Sequence, residues 1–226
     1  TLKNNGYEPF IATGRSSAET RDIMESANIH SGIFMNGQVV LYQGKRVYSS
    51  EIPTEMVKKF HQMVKEDGYG FTAYNDKEFY LVESTDGAKD AYGFIHTNPP
   101  ALNADFYIDN PINMLLFICL PPAEEKYKVA FPNLDFLRNT PYSVDVISKG
   151  NSKAEGIKRF LEYLKQEDAK TFAFGDGPND IEMLQAVQHP VAMGNALPIL
   201  KEIAEFITTD NTDNGIINGL KHYGLI

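Results

Sequence analysis

Residues 172–184, FAFGDGPNDIEML, constrain the fold more than any other stretch of the chain. A short apolar run leads straight into Gly175-Asp176-Gly177-Pro178-Asn179-Asp180, and helical apolar spacing resumes at once. Glycine and proline at the junction break regular structure, so a buried strand must end there and turn into a helix. A strand followed directly by a helix is half of a βαβ unit, and in open parallel sheets ligands bind at the C-terminal strand ends. Two carboxylates four residues apart, Asp176 and Asp180, can face one point at such an edge, where a hard cation such as Mg2+ would take oxygen ligands. The glycines allow close backbone approach, and the helix start favours an anion. Gly, Pro, Asn and Asp are also ordinary turn residues, so the segment alone fits a plain turn as well.

The same alternation of strand and helix appears at both ends of the chain. Residues 7–13 predict a buried strand reaching Gly14-Arg15, and Ser16 with Glu19 forms a capping-box pattern for a helix over 17–27. A second strand over 32–35 ends at Asn36-Gly37, and 39–42 with 46–49 predict a hairpin. From Ser152 the pattern returns: a helix with Ile157, Phe160, Leu161 and Leu164 on one face, a strand over 170–174, a helix over 179–187, and short strands at 191–193 and 206–208 around a helix at 198–204.

The middle differs. Pro53 opens a helix carrying Met56, Val57, Phe60, Met63 and Val64 on one side, stopped by Gly68. A hairpin over 71–74 and 79–82, an irregular stretch over 86–103, a strand over 114–120, a helix over 123–131 and a strand over 142–147 follow. Helices beside antiparallel strands mark a separate α+β unit. The expected architecture is α/β: a Rossmann-like parallel-sheet core over 1–48 and 144–226, interrupted by an α+β insertion over 49–143.

Composition narrows the partners. The formal charge is −9 with no basic cluster, which argues against nucleic acid and anionic membranes. No apolar run reaches the ~20 residues of a membrane span, and the lone Cys119 sits in an apolar strand, so a cytoplasmic protein is expected. The chain opens on a polar segment, 1–6, that reads as the end of a helix with a Gly stop, so further sequence is expected upstream. The oligomeric state stays open.

Two further places suit an anion. Thr13, in Ile11-Ala12-Thr13-Gly14-Arg15-Ser16, puts a hydroxyl and backbone N–H groups at a strand end, although Thr-Gly before a capped helix is also good punctuation. Lys153 stands at a helix start, where the macrodipole disfavours it unless an anion is near; a solvated surface lysine is the plainer reading.

Taken in order, ATGRS, SKAEGI and GDGPNDIEML resemble the motifs of the haloacid dehalogenase superfamily, and the insertion between the first two resembles the cap of its Cof-type phosphatases. Asn36-Gly37 and Asp213-Asn214-Gly215 are similar to that family as well. The resemblance implies that Thr13 holds the transferring phosphoryl group and Lys153 neutralises it. It implies Asp176 as a Mg2+ ligand, Asp180 supporting the metal or orienting Lys153, and Asn179 beside the phosphate. Gly14, Arg15, Asn36 and Gly37 would line the site. The implied activity is Mg2+-dependent hydrolysis of small phosphorylated metabolites, such as sugar phosphates or phosphorylated cofactors, through an aspartyl-phosphate. The family's Asp-x-Asp strand has no counterpart before Ala12, the first aspartate being Asp22, so the chain as it stands is expected to lack turnover. A non-catalytic phosphate-binding homologue and a sugar phosphomutase relative are the alternatives. The phosphorylation domain of an ion-pumping ATPase, which shares the GDG-x-ND segment, fits poorly because membrane spans are lacking.

Overall fold

The structure, a computed structural model, describes residues 1–138 and 140–226 and divides into two compact units. The core unit comprises Thr1–Thr13, Ile23–Tyr48 and Ser152–Ile226, and the cap unit comprises Gly14–Asp22 and Ser49–Asn151.

A 3-10 turn over Leu2–Asn5, closed by Gly6 in the left-handed region at φ 85°, precedes β1 (Ile11–Ala12). Next come α1 (Arg21–Ala27), β2 (Gly32–Phe34), β3 (Val39–Tyr42) and β4 (Lys45–Ser49). These strands form one sheet in sequence order, with β1 parallel to β2 and β2 antiparallel to β3. The helix expected over 17–27 is shorter because the Ser16–Glu19 capping box closes a turn of its own before Arg21.

The cap unit continues with α2 (Thr54–Asp67), β5 (Gly70–Tyr74), β6 (Phe79–Glu83), α3 (Ala88–Phe94) and α4 (Phe106–Asp109). It ends with β7 (Met114–Ile118), α5 (Glu124–Ala130), β8 (Leu134–Leu137) and β9 (Ser143–Ser148). The five strands make an antiparallel sheet in the order β6-β5-β7-β9-β8. Because β9 pairs with both β7 and β8, the cap's contacts run on to Asn151 and do not stop at 143 as the sequence suggests.

Strand alternation gives this sheet two faces. Phe71, Ala73, Leu115, Phe117, Val144 and Val146 meet Val57, Phe60 and Val64 of α2 and Tyr127 of α5. Phe60 is the hub, with ring centroids 5.3–5.5 Å from Phe71, Phe117, Tyr127 and Phe131. The other face carries Leu81 and Ile118 against Ala88, Ala91 and Tyr92 of α3, the helix that settles the irregular 86–103 stretch.

The chain re-enters the core unit with α6 (Lys153–Leu164), β10 (Phe172–Gly175), α7 (Ile181–Ala186), β11 (His189–Ala192), α8 (Pro198–Ile203), β12 (Phe206–Ile207) and α9 (Gly215–His222). Strands β10, β11 and β12 form a parallel sheet in that order. Its apolar core gathers Ala173, Met183, Leu184, Ala192, Met193 and Leu200, with Ala12 of β1 packed against it. No helix among the described residues is long and apolar enough to cross a membrane.

Candidate active site

The site is assembled from strand ends of the core unit. Thr13 follows β1; its N–H donates to the Ile33 carbonyl at 2.9 Å and its own carbonyl accepts the Asn36 N–H at 3.1 Å. The β1–β2 ladder thereby runs one step past the strand and fixes Thr13 beside the Asn36-Gly37 turn. Asn36 sits in the left-handed region (φ 52°, ψ 41°), which asparagine tolerates better than most side chains. Gly37, at φ 93°, lies so close to the chain before α6 that a Cβ would come within 2.1 Å of the Ser152 carbonyl oxygen. Only glycine permits that approach.

Ser152 caps α6, its Oγ accepting the Glu155 N–H at 3.3 Å. Lys153 is therefore the first residue of the helix, and it is buried. Its Nζ donates to Asp180 Oδ1 at 2.6 Å, with the two side chains only 6% and 8% exposed. The other oxygen of Asp180 accepts the N–H groups of Asp176 and Gly177, both at 3.0 Å. Gly175 makes this possible, since a Cβ there would stand 2.7 Å from that of Asp180. The anion demanded by a lysine at a helix start is thus Asp180 itself.

Asp180 accepts from one ammonium and two amides, an arrangement that fits its expected role in orienting Lys153. Asp176 differs: it is exposed, and its Oδ2 accepts from Asn195 Nδ2 at 2.8 Å. Asn179 ties the two halves of the site together, its Nδ2 donating to Asn36 Oδ1 at 3.1 Å. The helix expected over 179–187 begins later, because Pro178–Asp180 form a 3-10 turn before α7.

Thr13, Asn36, Gly37, Lys153, Asp176, Asn179 and Asp180 therefore share one part of the core unit. Gly14 and Arg15 belong instead to the cap unit, where Arg15 is exposed. Asn195 escaped the sequence reading. The signal was there in Met193-Gly194-Asn195, another Gly-polar pair at the end of a short apolar strand, but without a carboxylate it drew no notice. Asn195 Oδ1 also accepts the Asn211 N–H at 3.1 Å, so it braces Asp176 against the loop after β12.

Among the described residues no three His, Cys, Asp or Glu side chains gather around a point. What is present is one solvent-facing carboxylate on a braced loop. That suits a magnesium ion, which keeps several waters and is held by one or two carboxylates together with substrate phosphate oxygens.

With this geometry established, comparison with known proteins defines the class. Residues 1–220 match the haloacid dehalogenase-like hydrolases, and the chain belongs to that family. YkrA of Bacillus subtilis, named as a candidate phosphatase, is 37% identical over 227 residues, covering 100% of this chain and 88% of that protein. A hypothetical protein from Geobacillus kaustophilus HTA426 superposes with a TM-score of 0.93 at 31% identity, covering 100% of this chain and 88% of that one. BT4131, described as a subclass IIB sugar phosphatase of the superfamily, superposes with a TM-score of 0.83 at 26% identity over 100% of this chain and 88% of its own. The α/β core with an inserted cap is the architecture of the Cof-type members of this superfamily, and the class is a phosphatase-type hydrolase.

Proposed function

We propose that this site handles small phosphomonoesters, sugar phosphates foremost, with Mg2+ as cofactor. The observation that carries the reading is the buried Lys153–Asp180 pair beside the exposed Asp176, linked to the Thr13 strand end through Asn179 and Asn36. The sugar phosphatase BT4131 supports the substrate class by likeness.

Phosphoryl transfer depends chiefly on positioning and charge neutralisation, and the residues divide along those lines. Thr13 donates its hydroxyl to a phosphate oxygen. Lys153 supplies a fixed positive charge, and Asp180 holds that ammonium in place. Asn179, clamped to Asn36, borders the phosphate. Asp176 would hold the magnesium ion, which when bound supplies Lewis-acid charge at the phosphate oxygens.

The Asp-x-Asp pair that the resemblance assigns as nucleophile and general acid/base occurs nowhere in residues 1–226. Binding and charge neutralisation are the roles proposed for residues 1–226, and the aspartyl-phosphate step calls for an Asp-x-Asp pair. The test is Mg2+-dependent release of phosphate from p-nitrophenyl phosphate and a panel of hexose phosphates. Residues 1–226 would be compared with a version bearing an N-terminal Asp-x-Asp strand. Release by the extended form alone supports the reading, whereas release by residues 1–226 places the nucleophile elsewhere and overturns it.

A further inference from the structure

Asp176 follows the end of β10, and one neighbour decides how its carboxylate is presented. Asn195 Nδ2 donates to Asp176 Oδ2 at 2.8 Å, while Asn195 Oδ1 accepts the Asn211 N–H at 3.1 Å. A backbone N–H can only donate, so the amide oxygen must face Asn211 and the amide nitrogen is left for Asp176. The orientation of Asn195 is fixed on one side and passed on to the other.

The frame behind this amide is anchored several times within the core unit. The Gly194 N–H donates to the Thr209 carbonyl at 3.0 Å, and the Gly194 carbonyl accepts from Lys201 Nζ at 2.6 Å. A Cβ on Gly194 would stand 2.6 Å from the Asp210 nitrogen, so the 193–197 loop and the loop after β12 lie closer than a side chain there allows. The Leu197 N–H donates to the Asp176 carbonyl at 3.2 Å and ties the same loop to the backbone of Asp176. Asp210 Oδ1 accepts the N–H and the hydroxyl of Thr212, at 3.0 and 2.9 Å, which closes the far side.

The result is a carboxylate with two unlike oxygens. Oδ2 is held by an amide, and Oδ1 takes no hydrogen bond among the described residues. A carboxylate so divided offers a cation a single oxygen. That suits Mg2+, which demands near-octahedral geometry and keeps several waters. It suits Ca2+ less, since Ca2+ takes more oxygens and readily accepts both from one carboxylate.

We propose that Asn195 is a positioning and specificity-determining residue for the metal: by occupying Oδ2 of Asp176 it presents Oδ1 alone and sets a preference for Mg2+ over Ca2+. This assignment rests on the metal role given to Asp176 under Proposed function, and every residue involved lies in the core unit.

The test uses the 226-residue chain with inorganic phosphate. Mn2+, followed through its effect on water proton relaxation, is displaced by Mg2+ or by Ca2+ in the wild type, Asn195→Ala and Asn218→Ala. Asn218 is the control because its Nδ2 holds the same loop, through Thr209 Oγ1 at 2.8 Å and the Asp213 carbonyl at 3.2 Å. Asn195 is exposed, so its truncation leaves no cavity in the fold. Asn195→Ala should lower the ratio of Mg2+ to Ca2+ affinity roughly threefold to tenfold, the worth of one hydrogen bond. Asn218→Ala should leave that ratio at its wild-type value. An unchanged ratio in Asn195→Ala, or an equal fall in both variants, would overturn the proposal. If instead Mn2+ binding is the same in the wild type and Asp176→Ala, the metal role of Asp176 itself is overturned.

Discussion

The two units both bury polar side chains, and they do so to different ends. In the core unit, Lys153 and Asp180 are almost wholly enclosed, yet their network runs outward through the Asp176 and Gly177 amides to an exposed carboxylate. In the cap unit, the Thr72, Tyr74 and Tyr92 hydroxyls satisfy one another inside the sheet–helix packing, and Arg138 spans Glu124 and the Cys119 carbonyl at the end of β7. The first arrangement fixes a charge where a ligand can meet it; the second holds strands and helices together. Burial of a polar group does not by itself mark a site. What marks it is a network that opens onto braced, exposed donors or acceptors.

The sharpest break between the two would come from Asp180→Ala. Removing one partner of a buried pair leaves Lys153 uncompensated, so a loss of about 3–5 kcal/mol is expected by denaturant titration, together with loss of phosphate binding. Phe60→Ala should destabilise comparably, by about 3–5 kcal/mol, since it empties the hub of the cap core, but phosphate binding by the remaining folded protein should persist. Equal loss of binding in both variants would erase the distinction between site and scaffold.

A smaller effect belongs to the Glu124–Arg138 pair. The Arg138 guanidinium, hydrogen-bonded to Glu124, holds its carboxyl below the usual glutamate range. The folded state thus favours the ionised form. Its stabilisation is complete above the unfolded glutamate value and is lost as pH falls through the lowered folded value. Glu124→Gln should cost about 1–3 kcal/mol at neutral pH and flatten the acid limb of the melting temperature profile. An unchanged acid limb would remove the pair from the cap's stability. Least is expected of Cys119: burial pushes its thiol up to about 11, so iodoacetamide should modify it only on unfolding.

The same contrast explains what could be read from the sequence. The core site was legible because each element is a short apolar strand stopped by glycine, and the chemistry is compressed into contiguous residues such as 175–180. The Asp180–Lys153 bond was legible only through the family resemblance, as one of two roles for Asp180, because it joins residues 27 apart and only the fold says which carboxylate turns inward. In the cap, α2 and the β5–β6 hairpin were readable from periodicity and turn residues. Helix α4 and strand β8 were not, being four residues each and held by neighbours more than by local preference. Nor could residues 14–22 be assigned to the cap, since the capping-box pattern reports a turn and not the unit it packs on.

The most direct test of the central claim is titration of the wild-type chain and Asp176→Ala with inorganic phosphate, with and without Mg2+. If Asp176 holds the metal beside Lys153 and Thr13, Mg2+ should tighten phosphate binding to the wild type, and that gain should vanish in Asp176→Ala. An equal gain in both proteins, or no phosphate binding by the wild type, would contradict the account.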